Sequence, residues 1–289
     1  MKRQALFSRR RRYQALQVRP ATRDDGWAVE SLLSCSNYNY QALEWWTVQD
    51  FLGSPTLLLA SDQDEQPVGL ALAVLGDGPV AWLRAVAVDS GECLEALLAA
   101  ISQAVLAQGS AGLALLGGKN WLLSRLKSSG FQRINRVITL RQRGRWLANA
   151  GSPGPCVRAA NPADLDAILE VDHAAFTELW WYDRAVLQHA LGQGFFSVAY
   201  RDGVCVGYQF CTLRQGRGHI VRLATHPQWQ RQGIGQRLLS EALTSLEQAG
   251  ARSVTVNTQQ DNETSLRLYR RFAFQRIGSP WDVWFIALK

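Results

Sequence analysis

The chain has 289 residues, 47 % hydrophobic and 19 % charged, which is enough apolar material for two ordinary domains and excludes global disorder. Its net charge of +7 is not spread along the chain: Lys2, Arg3, Arg9, Arg10, Arg11 and Arg12 supply six of the seven units, so the body is near neutral. No stretch reaches the roughly 20 apolar residues that span a bilayer, and the start lacks the apolar segment of a secretory signal, so a cytoplasmic protein with no membrane association is expected.

The basic segment 1–16 is either a solvated, disordered leader or a contact for RNA, the ribosome or acidic lipid. Cys35, Cys93, Cys156, Cys205 and Cys211 are odd in number, scattered and never spaced C-x-x-C. That pattern argues against a disulfide framework and against a zinc site, and no metal is expected.

The chain repeats itself. Phe131-Gln132-Arg133-Ile134 recurs verbatim as Phe274-Gln275-Arg276-Ile277. Upstream, Val18-Arg19-Pro20-Ala21 corresponds to Val157-Arg158-Ala159-Ala160, Trp45-Trp46 to Trp180-Trp181, and Val68-Gly69 to Val206-Gly207, with offsets between 135 and 143. One unit therefore occurs twice, and the expected division is a first domain over 17–141, a linker over 142–155 around Gly151-Ser152-Pro153-Gly154-Pro155, and a second domain over 156–289.

In the second copy, Asn161-Pro162-Ala163-Asp164 predicts a helix start and a helix to about Phe176. Phe195–Tyr200 and Val204–Leu213, around the Arg201-Asp202-Gly203 turn, predict a hairpin, and His219–Thr225 a third strand. Leu238, Leu239, Ala242, Leu243 and Leu246 share one face of a helix over 236–250 that stops at Gly250. Ser253–Asn257 is a strand, Asn262 opens a short helix through Arg271, and two more strands are expected, the last over Trp281–Leu288. The fold class is α/β (α+β), a mixed central sheet with helices on both faces.

Between the strand ending at Thr225 and the helix after Gly235 lies Gln230-Arg231-Gln232-Gly233-Ile234-Gly235. Exposed backbone NH groups at a helix start, with the positive end of the helix dipole, favour an anion, and glycines let it approach closely. The pattern Gln230-x-x-Gly233-x-Gly235 resembles the acetyl-CoA signature of the GCN5-related N-acetyltransferase (GNAT) family. The preceding strand, the following amphipathic helix, Asn262, and Leu268-Tyr269 before Phe274 agree with that family's order over residues 157–289, and more faintly over 18–140.

The resemblance implies two tandem acyl-CoA N-acyltransferase folds and acetyl-CoA as cofactor. It implies that Gln232 through Gln236 offer NH groups to a diphosphate beside Arg231 and Arg237. Leu223, Ala224 and Thr225 would pair with the pantetheine arm in a splayed gap between the fourth and fifth strands, Asn262 would hydrogen-bond the cofactor, and Tyr269 would protonate the leaving thiolate. Tyr269 equally suits a core position, and Asn262 a helix cap. Asp172-His173-Ala174-Ala175-Phe176 followed by Trp180-Trp181, with Pro227 before the turn, is similar to ribosomal-protein-alanine N-acetyltransferases. Phe176, Trp180, Trp181 and Tyr182 then either line an acceptor pocket or pack as core or interface aromatics.

The acceptor is an amine, either a protein or peptide N-terminus or a small molecule, and a non-catalytic CoA-sensing or ribosome-docking module is the further alternative. Where family members acting on N-termini carry a Glu or His, this chain has Asn257, which cannot accept a proton. His219 is the replacement candidate, or a hydrogen-bonded histidine at a strand start. In the first copy, Val88-Asp89-Ser90-Gly91-Glu92-Cys93 stands in place of the glycine turn, and Leu126 aligns with Tyr269. Two carboxylates repel a diphosphate, so one catalytic centre is expected, in the second copy.

Overall fold

The computed structural model describes residues 16–43, 46–144 and 155–289. The basic segment up to residue 15, Trp45 of the repeated pair, and most of the expected linker lie outside these. Among the described residues no helix is long and apolar enough to cross a membrane.

In chain order the first copy contributes β1 (Gln17–Pro20), α1 (Gly26–Cys35), β2 (Tyr38–Gln41), β3 (Leu57–Ser61), β4 (Pro67–Val74), β5 (Val80–Val88), α2 (Gly91–Ala107), β6 (Gly112–Leu116), α3 (Asn120–Ser128) and β7 (Gln132–Arg143). The second contributes β8 (Cys156–Ala159), α4 (Leu165–Ala175), α5 (Arg184–Leu191), β9 (Phe195–Arg201), β10 (Val204–Arg214), β11 (Arg217–Thr225), α6 (Ile234–Gln248), β12 (Ser253–Gln259), α7 (Glu263–Arg271) and β13 (Gln275–Ala287). The mixed sheet with helices on both faces is as expected. Two expectations fail locally. The chain closes with one strand, not two, because β13 runs through its middle with Gly278 at φ 63°. The helix α5, capped by Asp183, was not anticipated.

The described residues form two compact units that are not two successive blocks of sequence. One holds the chain up to Leu75, then Val80–Gln132 and Trp284–Lys289; the other holds Gly76–Pro79 and Arg133–Val283. The last strand of the first copy, β7, therefore belongs to the second unit from Arg133 onward, and the end of β13, from Trp284, belongs to the first. In the second unit β7 pairs antiparallel with β12, Leu140 opposite Val256 and Thr139 opposite Asn257. In the first, the Leu288 NH donates to the Ala111 carbonyl at 2.9 Å, at the start of β6.

Within the first unit the strands run β1-β3-β4-β5-β6. Alternation covers both faces: Leu57, Leu59, Leu70 and Leu72 pack with Val29 and Leu32 of α1, while Leu58, Ala71 and Leu83 pack with Leu94, Leu97 and Ile101 of α2. In the second unit the order is β7-β12-β11-β10-β9-β8. Leu239, Leu243 and Leu246 of α6 pack on Ile220, Val254 and Val256. Gly207 on β10 permits this, since a Cβ there would lie 2.7 Å from the Ala224 carbonyl oxygen and 3.0 Å from Leu238.

Both copies open on the same device. Arg19 grips Asp25 with two bonds of 2.7 Å, and Arg158 grips Asp164 with bonds of 2.8 and 2.6 Å, each carboxylate also closing a capping box. The Arg158 guanidinium, opposed by burial and aided by the Asn161 NH, holds the Asp164 carboxyl at about 2, below its ordinary 3.8. A carboxylate depressed on folding stabilises the protein above its unfolded value, and that stability is lost as pH falls through the folded value. Stability should therefore fall between about pH 4 and pH 2, and Asp164→Asn should flatten that part of the curve in thermal melts taken across this range.

Candidate active site

Strands β11 and β12 lie parallel only from Arg217 opposite Ser253 to Ile220 opposite Val256. Beyond that pair they part, and among the described residues the edge of β11 from Arg222 to Thr225 that faces away from β10 pairs with no strand. The bottom of this fork is apolar: Ile220 and Val256 share a cluster with Leu266, Phe274 and Tyr269. A cleft of about 750 Å³ opens from the fork, bounded by Leu223, Ala224 and Thr225, by the glycine turn, and by Asn262 and one side of α7. Its size is that of a site for a small molecule or cofactor.

The turn prepares a helix start for an external anion. Gly233 is the N-cap of α6 in the left-handed conformation, φ 82°, with nothing within 4 Å of the place a Cβ would take, and no side chain caps the helix. Arg231, at φ 62°, holds a conformation that costs a non-glycine residue energy and that recurs at binding sites. The first NH groups of α6 thus face open space with the positive end of the dipole. Gln230 is tied back to the Thr225 carbonyl at 3.3 Å, and Gln232 accepts from Arg201 at 2.7 Å. Arg267 and Arg271, one turn apart on α7, add positive charge to the wall of the cleft.

Of the residues singled out in the sequence, Leu223, Ala224, Thr225, Gln230, Arg231, Gly233, Ile234, Gly235, Gln236, Asn262 and Phe176 line this cleft, whereas Gln232, Tyr269, Trp180, Trp181 and Tyr182 do not. Asn262 caps α7 by accepting from the Ser265 NH at 3.0 Å. Tyr269 is 4 % exposed at the bottom of the fork, 5.5 Å from the Phe274 ring centroid. Burial raises its phenol above the ordinary value of 10, so it keeps its proton across the neutral range.

His219 lies in the paired part of β11, outside the cleft lining. Its Nδ1 is 2.9 Å from the Thr255 hydroxyl, which itself donates to the Gly218 carbonyl. With the hydroxyl proton directed at that carbonyl, the hydroxyl accepts from Nδ1, the tautomer in which Nε2 carries the basic lone pair. Burial also lowers its pKa from the usual 6.5, which keeps the ring neutral. Asn257 accepts from the Thr139 hydroxyl of β7 at 2.9 Å.

The residue missed in the sequence is Arg222. On β10, Phe210 stands opposite Arg222 and Cys211 opposite Ile220, which leaves Val221 unpaired in a β-bulge. The extra residue shifts the alternation, so Ile220 packs under α6 while Arg222 points to the opposite face. There its Nε and one terminal nitrogen donate to Asp172 at 2.8 and 2.9 Å, and the latter also donates to the Trp180 carbonyl at 2.6 Å. The guanidinium is sandwiched between the rings of Phe176, at 3.5 Å, and Tyr182, at 4.1 Å. Asp172 is 0 % exposed and also accepts from the Tyr208 hydroxyl and, at 3.0 Å, from the Tyr182 NH. The available signal was a lone charge inside the apolar run from Ile220 to Thr225.

The first unit offers the same scaffold with the site filled. Strand β6 pairs with β5 only from Val80 to Trp82, so a fork opens there too, but β2 occupies it, Tyr38 opposite Val88 through Gln41 opposite Ala85. Tyr40 spans to the other arm, donating to the Leu116 carbonyl at 2.9 Å. The helix start is self-satisfied: Ser90 accepts from the Cys93 NH at 3.1 Å, and a Cβ on Gly91 would meet the Arg125 guanidinium at 2.6 Å.

A forked parallel pair with one open edge, above an uncapped glycine turn, suits an extended ligand that carries an anionic group. Residues 163–274 match the acetyltransferase (GNAT) family model. Over 240 residues, 77 % of the chain and 78 % of the relative, the sequence is 25 % identical to a mycothiol acetyltransferase of Clavibacter sepedonicus. Over 134 residues, 42 % of the chain and 80 % of the relative, it is 28 % identical to an N-alpha-acetyltransferase of Sulfurisphaera tokodaii. In fold, 95 % of the chain corresponds to 99 % of a tandem GNAT protein from the clavulanic acid biosynthesis pathway, with TM-score 0.62 at 15 % identity.

Proposed function

We propose that the second copy transfers acetyl from acetyl-CoA to a weakly basic primary amine, the α-amine of a peptide or protein N-terminus, and that the first copy has no catalytic site. The observation that carries this reading is the contrast between the two forks: the edge of β11 is open above an uncapped turn, whereas the edge of β5 is closed by the chain's own β2. In this reading the NH groups from Gln232 to Gln236 hold the diphosphate, with Arg231, Arg267 and Arg271 nearby. The backbone of Leu223, Ala224 and Thr225 pairs with the pantetheine arm, and Asn262 adds a polar contact. The cofactor supplies an acetyl thioester activated for attack by nitrogen. Tyr269 holds a proton at its phenol oxygen for the departing sulfur, and His219 accepts the amine proton at Nε2, on the sheet face that also carries Arg222.

The acceptor preference follows from proton chemistry. A buried, neutral imidazole is a weak base, so the acceptor must be partly neutral in solution. An α-amine of pKa about 7.8 is roughly one-seventh neutral at pH 7, whereas a lysine amine near 10.4 is neutral about once in two thousand. Peptides with a free N-terminal alanine should therefore be acetylated about three-hundredfold faster at pH 7 than Nα-blocked lysine peptides. Comparable rates on both in a thiol-release assay would overturn the assignment.

A second reading, a small-molecule amine as acceptor, is favoured by the mycothiol acetyltransferase likeness, which runs through 77 % of the chain and so through both copies. The same assay separates the two readings, by whether a peptide or a small primary amine such as glucosamine saturates at the lower concentration.

A further inference from the structure

We propose that the tip of the hairpin joining β4 to β5 in the first copy, Gly76–Pro79, positions the acceptor loop of the second copy, with Asp77 and Gly78 as its positioning residues. This rests on the reading above that the segment from Phe176 to Tyr182 borders the acceptor. The tip belongs to the compact unit that contains the cleft, although the strands it joins belong to the other.

The contacts are close and of two kinds. A Cβ on Gly78 would lie 2.2 Å from the Glu178 carbonyl oxygen and 3.2 Å from its carbon, so only glycine lets the two backbones meet in this way. Beside it, an Asp77 carboxylate oxygen is 3.6 Å from His173 Nε2. The same nitrogen is 3.1 Å from the Tyr182 carbonyl, and the ring stacks on Trp181 with centroids 4.3 Å apart. Trp181 closes the loop on itself, its indole NH donating to the carbonyls of His173 at 3.1 Å and Phe176 at 2.9 Å. Phe176 in turn lines the cleft.

Two anchors therefore hold this loop. Arg222 holds it from within, through the Trp180 carbonyl and the rings of Phe176 and Tyr182. The first-copy tip holds it from the other side, through Glu178 and His173. A copy whose own fork is filled thereby still contributes to the reaction, by fixing where the acceptor is received. The cofactor turn makes none of these contacts, so the effect is confined to the acceptor.

The test uses the full chain, with Gly78→Ala and, without inserted bulk, Asp77→Ala. Hydrogen exchange of amides 176–182 should accelerate about tenfold in Gly78→Ala, while amides 234–248 and CoA affinity stay within twofold. Because a misplacement of about 1 Å can cost about a hundredfold in rate, kcat/KM for an N-terminal alanine peptide should fall roughly ten- to a hundredfold, with the KM for acetyl-CoA unchanged. Asp77→Ala should shift both readouts the same way, by about two- to threefold, because its contact with His173 is partly exposed. Unchanged exchange at 176–182 overturns the proposal, and so does faster exchange with an unaltered acceptor parameter. If the unsubstituted protein leaves the peptide untouched, the peptide reading fails separately. Glucosamine then serves as the acceptor probe, and the exchange measurement decides in either case.

Discussion

Tyr269→Phe is expected to lower kcat about a hundred- to ten-thousandfold while leaving CoA affinity and stability nearly unchanged. General acid catalysis by one positioned group is worth about that factor, equivalent to roughly 3 to 5 kcal/mol of activation free energy. The ring contributes packing through Phe274 and the apolar cluster at the bottom of the fork, and phenylalanine preserves that packing. Only the proton is lost. Because burial keeps the phenol above its ordinary value, the proton is present throughout the neutral range, and the deficit should persist at every pH from 6 to 9. Stopped-flow detection of thiol release together with calorimetric titration of CoA checks this. A variant with full kcat would reduce Tyr269 to a core aromatic.

Asp172→Asn should destabilise the protein by about 3–5 kcal/mol, because it leaves the Arg222 guanidinium buried beside a neutral amide. That is a large part of the roughly 5–15 kcal/mol available to a folded protein. The carboxylate is 0 % exposed, and its two donors besides the guanidinium, the Tyr208 hydroxyl and the Tyr182 NH, bring no charge to replace it. Removing both charges is a different matter, since buried ion pairs replaced by apolar groups of similar volume are often neutral. Asp172→Asn combined with Arg222→Met should recover most of the stability in urea denaturation. It should not recover turnover, because the Trp180 carbonyl and the aromatic pair lose the group that holds them. A single variant losing less than about 1 kcal/mol would contradict this account.

How much of this was legible in the sequence differs from element to element. The glycine turn was readable because its chemistry is local: a helix start, a left-handed glycine and flanking positive charge lie within six consecutive residues. The repeat was readable for the same reason, as similar segments at similar offsets. The hairpin, the helix α6 and the strand after it were visible in their periodicity, with ends shifted by one or two residues. The single long β13 was not, because nothing local says whether a chain bends or breaks at Gly278.

The sequence by itself determined the two-copy plan, the mixed sheet with helices on both faces, and the glycine turn before α6, since each is written in neighbouring residues. Tertiary structure alone decided that β7 joins the second unit and the end of β13 the first, because strand pairing depends on the edge available and not on the local pattern. It also decided the direction of Arg222, set by one unpaired residue, Val221, whose presence depends on the strand opposite. And it decided that the first fork is closed, since a four-residue strand can fill a gap only when the fold has first opened one beside it.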